Sequence, residues 1–191
     1  MTFFGSFDCT GGTGAGAGGL NALEVPTNGL VVAVETDPMY GEVTASGGDV
    51  VSWLNRGSGD NLTPPANAPS VNTADPDGNG YDAIEFDDTN TEYLSANFAD
   101  LTDNECSIFV VYRNTSASAK TAGIIDINNG SATNTGVQFI YTSGGLQTFR
   151  VKPAGAFQDV SSAKAVPHTG VEMMTGLYQN GEMRLLIVTG K

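Results

Sequence analysis

Basic residues are almost missing from the first half of this 191-residue chain. Residues 1–105 carry 17 Asp and Glu but one cation, Arg56, whereas residues 106–191 carry seven Lys and Arg against four acids. The first half is near −16 and the second near +3, for a total of −13. A polyanion would be repelled by the first half, which argues against nucleic acid as a partner. The acidity keeps a protein soluble in a salty medium, or supplies cation sites. No apolar run approaches the 18–20 residues of a membrane span. With no Lys or Arg before Arg56 there is no basic region of a secretory signal. The expectation is synthesis in the cytoplasm, with any role outside the cell reached by another route, such as assembly into a particle released by lysis. The two cysteines, Cys9 and Cys106, lie too far apart for a disulfide framework or a metal spacing. His168 is the only histidine, so neither a catalytic triad nor a zinc site is supported.

Strand formers separated by turn formers are abundant. Runs of Val, Ile, Thr, Phe and Tyr alternate with Gly, Asn, Asp and Ser, the composition of an all-β chain. Strands are predicted at Leu30–Glu35, Val43–Ser46, Val50–Leu54, Ala83–Phe86, Tyr93–Leu94 onward, Cys106–Arg113, Ala122–Ile127, Val137–Thr142, Leu146–Val151, Phe157–Val160 and Val171–Leu177. A last hairpin turns at Asn180-Gly181. Cys106 opens the apolar run CSIFVVY and is expected to pack as a small hydrophobe. Trp53 is expected in the core. Residues 55–80 read as a long surface loop, and FADLTDNE as a single helical turn.

Residues 1–29 read as a flexible Gly-rich N-terminal tail and residues 30–191 as one β-sandwich domain. The run CTGGTGAGAGG has the glycines of a phosphate loop, but no strand precedes it and no Lys-Ser/Thr pair follows, so a linker is the better reading. Phe3, Phe4 and Phe7 could then anchor the tail to a partner chain rather than face water, with an ordinary disordered start as the plainer reading.

The stretch Val51–Leu94 carries a pattern: VSWLNRGSGDN, a Pro-rich excursion, then GYDAIEFDDTNTEYLSA. A tryptophan, a Ser-Gly turn, a loop, then strand, acidic turn and strand resemble the opening of laminin G-like domains of the concanavalin A-like lectin/glucanase superfamily. LVVAVETDP, SIFVVYR and LYQNGEMRLLIVTGK resemble further strands of that family, so the likeness runs from Leu30 to Lys191. Asn55, Asp88 and Thr189 depart from it, standing where Asp, Gly and Asn are usual. The family continues past the turn that Thr189-Gly190-Lys191 resembles, so the expectation is a sandwich completed by a partner chain, by further sequence or by a shortened sheet. The resemblance implies a concanavalin A-like jelly roll and, as commonest roles, glycan binding or adhesion. It does not fix a function, because one fold hosts many.

Three kinds of site were weighed. DPDGNG, Asp75–Gly80, matches the start of a calcium loop: Asp75, Asp77 and Asn79 offer hard oxygen ligands at alternate positions, and Gly80 permits the sharp turn. The twelfth position is Phe86 rather than Glu, so a polar turn is the plainer reading; Asp82, Asp87 and Asp88 would have to complete a Ca2+ site. Glycoside hydrolysis needs two carboxylates at fixed separation. Only Glu85 with Asp87, and Asp126 in GIIDINNG, come near that requirement, so no catalytic residues are assigned and the chain is read as a non-enzyme. Tyr81, Tyr141, Phe149 and Phe157, with Asn128, Asn129 and Asn134, are the side chains available for sugar. The expectation is a virion or phage-like particle fibre or spike, possessing a lectin-like domain for host cell-surface polysaccharide. It would be held by its tail to other particle proteins, as a homo-oligomer. The alternatives are a structural decoration or adaptor protein, and a polysaccharide-degrading enzyme.

Overall fold

A computed structural model of the chain describes residues 2–3, 32, 34, 36, 43–76, 80–87, 89–97, 106–114, 122–128, 136–142, 145–152, 157–165, 170–179 and 181–189. Among these there is no α-helix. Twelve strands form: β1 (Thr2–Phe3), β2 (Val43–Ser46), β3 (Asp49–Trp53), β4 (Ser70–Asn72), β5 (Ala83–Glu85), β6 (Cys106–Arg113), β7 (Ala122–Asn128), β8 (Gly136–Tyr141), β9 (Leu146–Lys152), β10 (Gln158–Ala165), β11 (Val171–Gln179) and β12 (Glu182–Thr189). They make two antiparallel sheets. The larger has the order β12-β11-β6-β1-β5-β4-β3-β2 and the smaller is the meander β10-β9-β8-β7.

Period-two alternation selects the inner face. In β6, Cys106, Ile108, Val110 and Tyr112 are buried while Ser107, Phe109, Val111 and Arg113 are half-buried. The buried set meets Ile127, Val137, Phe139, Tyr141, Phe149 and Val151 from the smaller sheet in one core, which Trp53, Met174 and Tyr178 join. The expected first strand is described only at Val32, Val34 and Thr36, all buried. Hairpin turns follow their glycines: Gly47 and Gly48 between β2 and β3, and Gly181 between β11 and β12, all have positive φ, which costs a residue without Cβ little.

Three sequence expectations shift. The supposed loop 55–80 contains β4, which pairs with β5 along Ser70–Asn72. Tyr93 and Leu94 do not start a strand; the neighbouring Ser95 makes one isolated bridge to Thr63. Thr2 and Phe3, assigned to the tail, form a strand between β5 and β6. Phe4, Phe7, Cys9, the Gly-rich run, the helical turn at FADLTDNE and His168 lie outside the described residues.

Two contacts between the sheets bear most on the packing. Phe139 and Phe149 are cross-strand partners on β8 and β9, with ring centroids 5.2 Å apart. Both rings press on Gly176 of β11, where a Cβ would stand 2.6 Å from Phe149 Cδ2 and 2.8 Å from Phe139 Cζ. The second contact is polar. Tyr141 Oη donates to Tyr112 Oη at 2.9 Å, and Tyr112 Oη donates to Glu172 Oε2 at 3.1 Å. Gln147 Nε2 donates to both the Tyr112 hydroxyl and Glu172 Oε2. All four side chains are buried. Burial strongly raises the Tyr112 phenol, with the neighbouring Tyr141 adding to the effect, and pushes Tyr141 up to about 12.

Two outcomes are expected. Gly176→Ala overpacks the aromatic contact and lowers unfolding free energy by about 1–3 kcal/mol in urea titration. The buried phenols keep their protons above pH 10.0, their ordinary value, whereas the unfolded chain loses them there. The stability they contribute is therefore full below pH 10 and falls as pH rises from 10 toward 12. Urea midpoints measured across that range check it, with ultraviolet titration showing two phenols that ionise late.

Candidate functional site

Two separate corners of the chain come together at the surface. After β3, Trp53 exchanges both backbone hydrogen bonds with Leu62, at 2.8 and 3.0 Å, closing the loop NRGSGDN. Asn55, buried, organises that loop. Its Oδ1 accepts from Gly57 N at 2.9 Å, its Nδ2 donates to Asp60 O at 3.3 Å, and its backbone N donates to Asn61 Oδ1 at 3.1 Å. An amide donates as well as accepts, and here it does both.

The second corner follows β5. Asp87 Oδ1 accepts from Thr89 N at 2.8 Å and Thr89 Oγ1 at 2.7 Å, while Oδ2 accepts from Asn90 Nδ2 at 2.9 Å. The Asp87 backbone N donates to Glu92 Oε2 at 2.7 Å. The backbone and side-chain hydrogen bonds from Thr89 hold the Asp87 carboxyl below its ordinary value of 3.8. Thr91 completes the turn at a φ of 53°.

The segments 60–67 and 90–97 then run antiparallel. Asp60 N donates to Asn97 O at 3.0 Å, Thr63 and Ser95 exchange bonds at 2.9 Å, and Asn67 Nδ2 donates to Asn90 O. Asn97 Nδ2 reaches Asp60 Oδ2 at 3.4 Å. Asp60, Asn61, Asn67, Asp87, Asn90 and Asn97 are all exposed, and so is Tyr93, at 49%. The exposed amides and carboxylates of the paired segments can accept from and donate to hydroxyl groups, and the exposed Tyr93 ring on the same segment can stack on an apolar ring face. Tyr93 was not singled out as a sugar ligand by sequence, because its position reads only as the start of a strand, and strand alternation alone does not say which aromatics face water.

The other candidate residues scatter. Asp75 is 1% exposed, and its Oδ2 accepts from Asn72 Nδ2 at 2.8 Å and Arg113 Nη2 at 3.1 Å. The loop closes through Asp75 N to Tyr81 O and Gly80 N to Asp75 O, at 3.0 and 2.9 Å, and through Ala74 N to Asp82 Oδ1 at 3.0 Å. The carboxylate that would open a calcium loop is thus joined to a guanidinium. Asp77, Asn79 and Asp88 lie outside the described residues, and no group of three or more His, Cys, Asp or Glu gathers among the described ones. Glu85 is exposed on β5 and Asp126 on β7, strands of different sheets. Of the aromatics considered for sugar, Tyr141 and Phe149 are core, while Tyr81 and Phe157 are exposed. Phe157 lies under the Arg150 guanidinium at 4.8 Å, and Arg150 forms a two-pronged ion pair with Asp159 at 2.8 and 2.9 Å. Asn129 and Asn134 lie outside the described residues.

No protein family, curated protein or solved structure matches this chain.

Arg113→Leu leaves the Asp75 carboxylate buried without its guanidinium and is expected to cost about 3 kcal/mol of stability at pH 7. The double variant with Asp75→Asn should recover much of that loss. A double-mutant cycle in urea measures the coupling.

Proposed function

We propose that this chain is a non-enzymatic module of the concanavalin A-like, laminin G-like jelly-roll type that binds cell-surface polysaccharide. It would be carried on a phage or phage-like particle, as part of a fibre or spike. The observation that carries the reading is the surface around Tyr93, where Asp60, Asn61, Asn67, Asn90 and Asn97 stand exposed on two paired loops. The two antiparallel sheets and the joining of the Trp53 corner to the Asp87 corner support the resemblance on which the fold name rests. The acidic first half suits a neutral or cationic glycan better than a polyanionic one.

A structural role is the second reading, favoured by a different surface. On the outer face of the larger sheet, Leu177, Leu186 and Val188 are exposed on β11 and β12, and β12 is an edge strand. Such a face suits packing against a neighbouring protein.

Co-sedimentation of labelled protein with bacterial cells and purified capsular polysaccharides, with calcium and with chelator, separates the two. The glycan reading expects saturable binding that Tyr93→Ala weakens at least about tenfold, or 1.4 kcal/mol. Binding lost on Leu186→Asp but kept in Tyr93→Ala favours the structural reading, as does no glycan binding at all.

A further inference from the structure

The eight-stranded sheet is continuous only through its shortest strand. Among the described residues, β5 and β6 do not pair with each other; each pairs with β1. Thr2 stands opposite Glu85 on one side and Arg113 on the other, and Phe3 stands opposite Ile84 and Tyr112. Removing β1 would leave β12-β11-β6 and β5-β4-β3-β2 as separate pieces, each with an unpaired edge facing the gap. Such an opening accepts any extended segment that supplies backbone donors and acceptors in register.

The segment that fills it is joined to the fold from far away in sequence. Between Phe3 and Val32, the next described residue and a core member, lie 28 residues with eight glycines. Their greatest reach is roughly 100 Å. A domain of this size has a radius of gyration of about 15 Å, so the same segment can reach the opening in an adjoining molecule. The contacts made there are identical to those made within one chain, which is why exchange of an element between copies has little energetic cost. Concentration against the effective concentration set by the connecting chain then decides which copy supplies the strand.

We propose that the space between β5 and β6 is a strand-acceptor slot, and that a second copy of this chain fills it with its own Thr2–Phe3 segment. The slot links copies into an assembly through backbone pairing. The inference does not depend on the glycan reading.

Single-cysteine chains test it. Cys9→Ser and Cys106→Ala are present throughout, one chain carries Thr2→Cys, and the other carries Glu85→Cys. The two are unfolded together, refolded together and oxidised. Directly opposed strand residues lie within disulfide reach, and a bond between these two chains forms only if one fills the other's slot. The expected result is a disulfide heterodimer whose yield rises in proportion to protein concentration and whose linked peptides contain positions 2 and 85. A mixture with Thr44→Cys on the distant β2 in place of Glu85→Cys should give none. The full chain carrying both Thr2→Cys and Glu85→Cys provides the second measurement. An intrachain bond at every concentration, with no heterodimer from the mixture, overturns the proposal. Failure of both bonds overturns it as well, because β1 would then not lie beside β5.

Discussion

The two sheets meet closely at a residue without a side chain. Gly176 leaves room for the Phe139–Phe149 pair to reach the backbone of β11. Two aromatic rings are among the largest apolar groups the chain buries, each contributing about 1.5–3 kcal/mol when removed from water. That contact sets how near the smaller sheet comes, and the distance in turn lets Tyr141 and Gln147 reach across to Tyr112 and Glu172. The polar group adds direction to an otherwise non-directional contact. A shift of one sheet past the other would separate the phenol, amide and carboxylate partners and leave them buried without hydrogen bonds.

With the core fixed in this way, the loops at the strand ends can be shaped by hydrogen bonds rather than by apolar packing. Asn55 closes the corner after β3 and Asp87 closes the corner after β5, each by satisfying backbone groups locally. Their side chains are engaged in that work, while their neighbours Asp60, Asn61, Tyr93 and Asn97 stand exposed. Asp75 plays a comparable structural part. Its buried carboxylate ties the loop before β5 to Arg113 at the end of β6, across the position where β1 inserts.

The central place of β1 also changes how the chain's N-terminal end relates to the fold. A segment that composition marks as an appendage completes the larger sheet, between strands about 80 and 110 residues downstream. The pairing is non-local to an extreme degree, and such contacts carry the full entropy of closing the intervening loop. A strand of two residues offers little to offset that, and the same weakness makes the strand exchangeable.

The all-β class, most of the long strands and the burial of Trp53 and Cys106 were legible in the amino-acid sequence alone. Each of these follows from local rules: period-two alternation, turn glycines and the preference of apolar side chains for the interior. Only the tertiary structure decided the rest. β4 was hidden in a Pro-rich stretch because three residues of pairing leave no periodic signal. Tyr93 was expected only as the start of a strand, and its exposure depends on which distant segments cover it. Asp75 matched the start of a calcium loop because that spacing is local, whereas its ion-pair partner, Arg113, is 38 positions away. Pairing, exposure and charge partnership are properties of distant segments brought together, and no short window of sequence contains them.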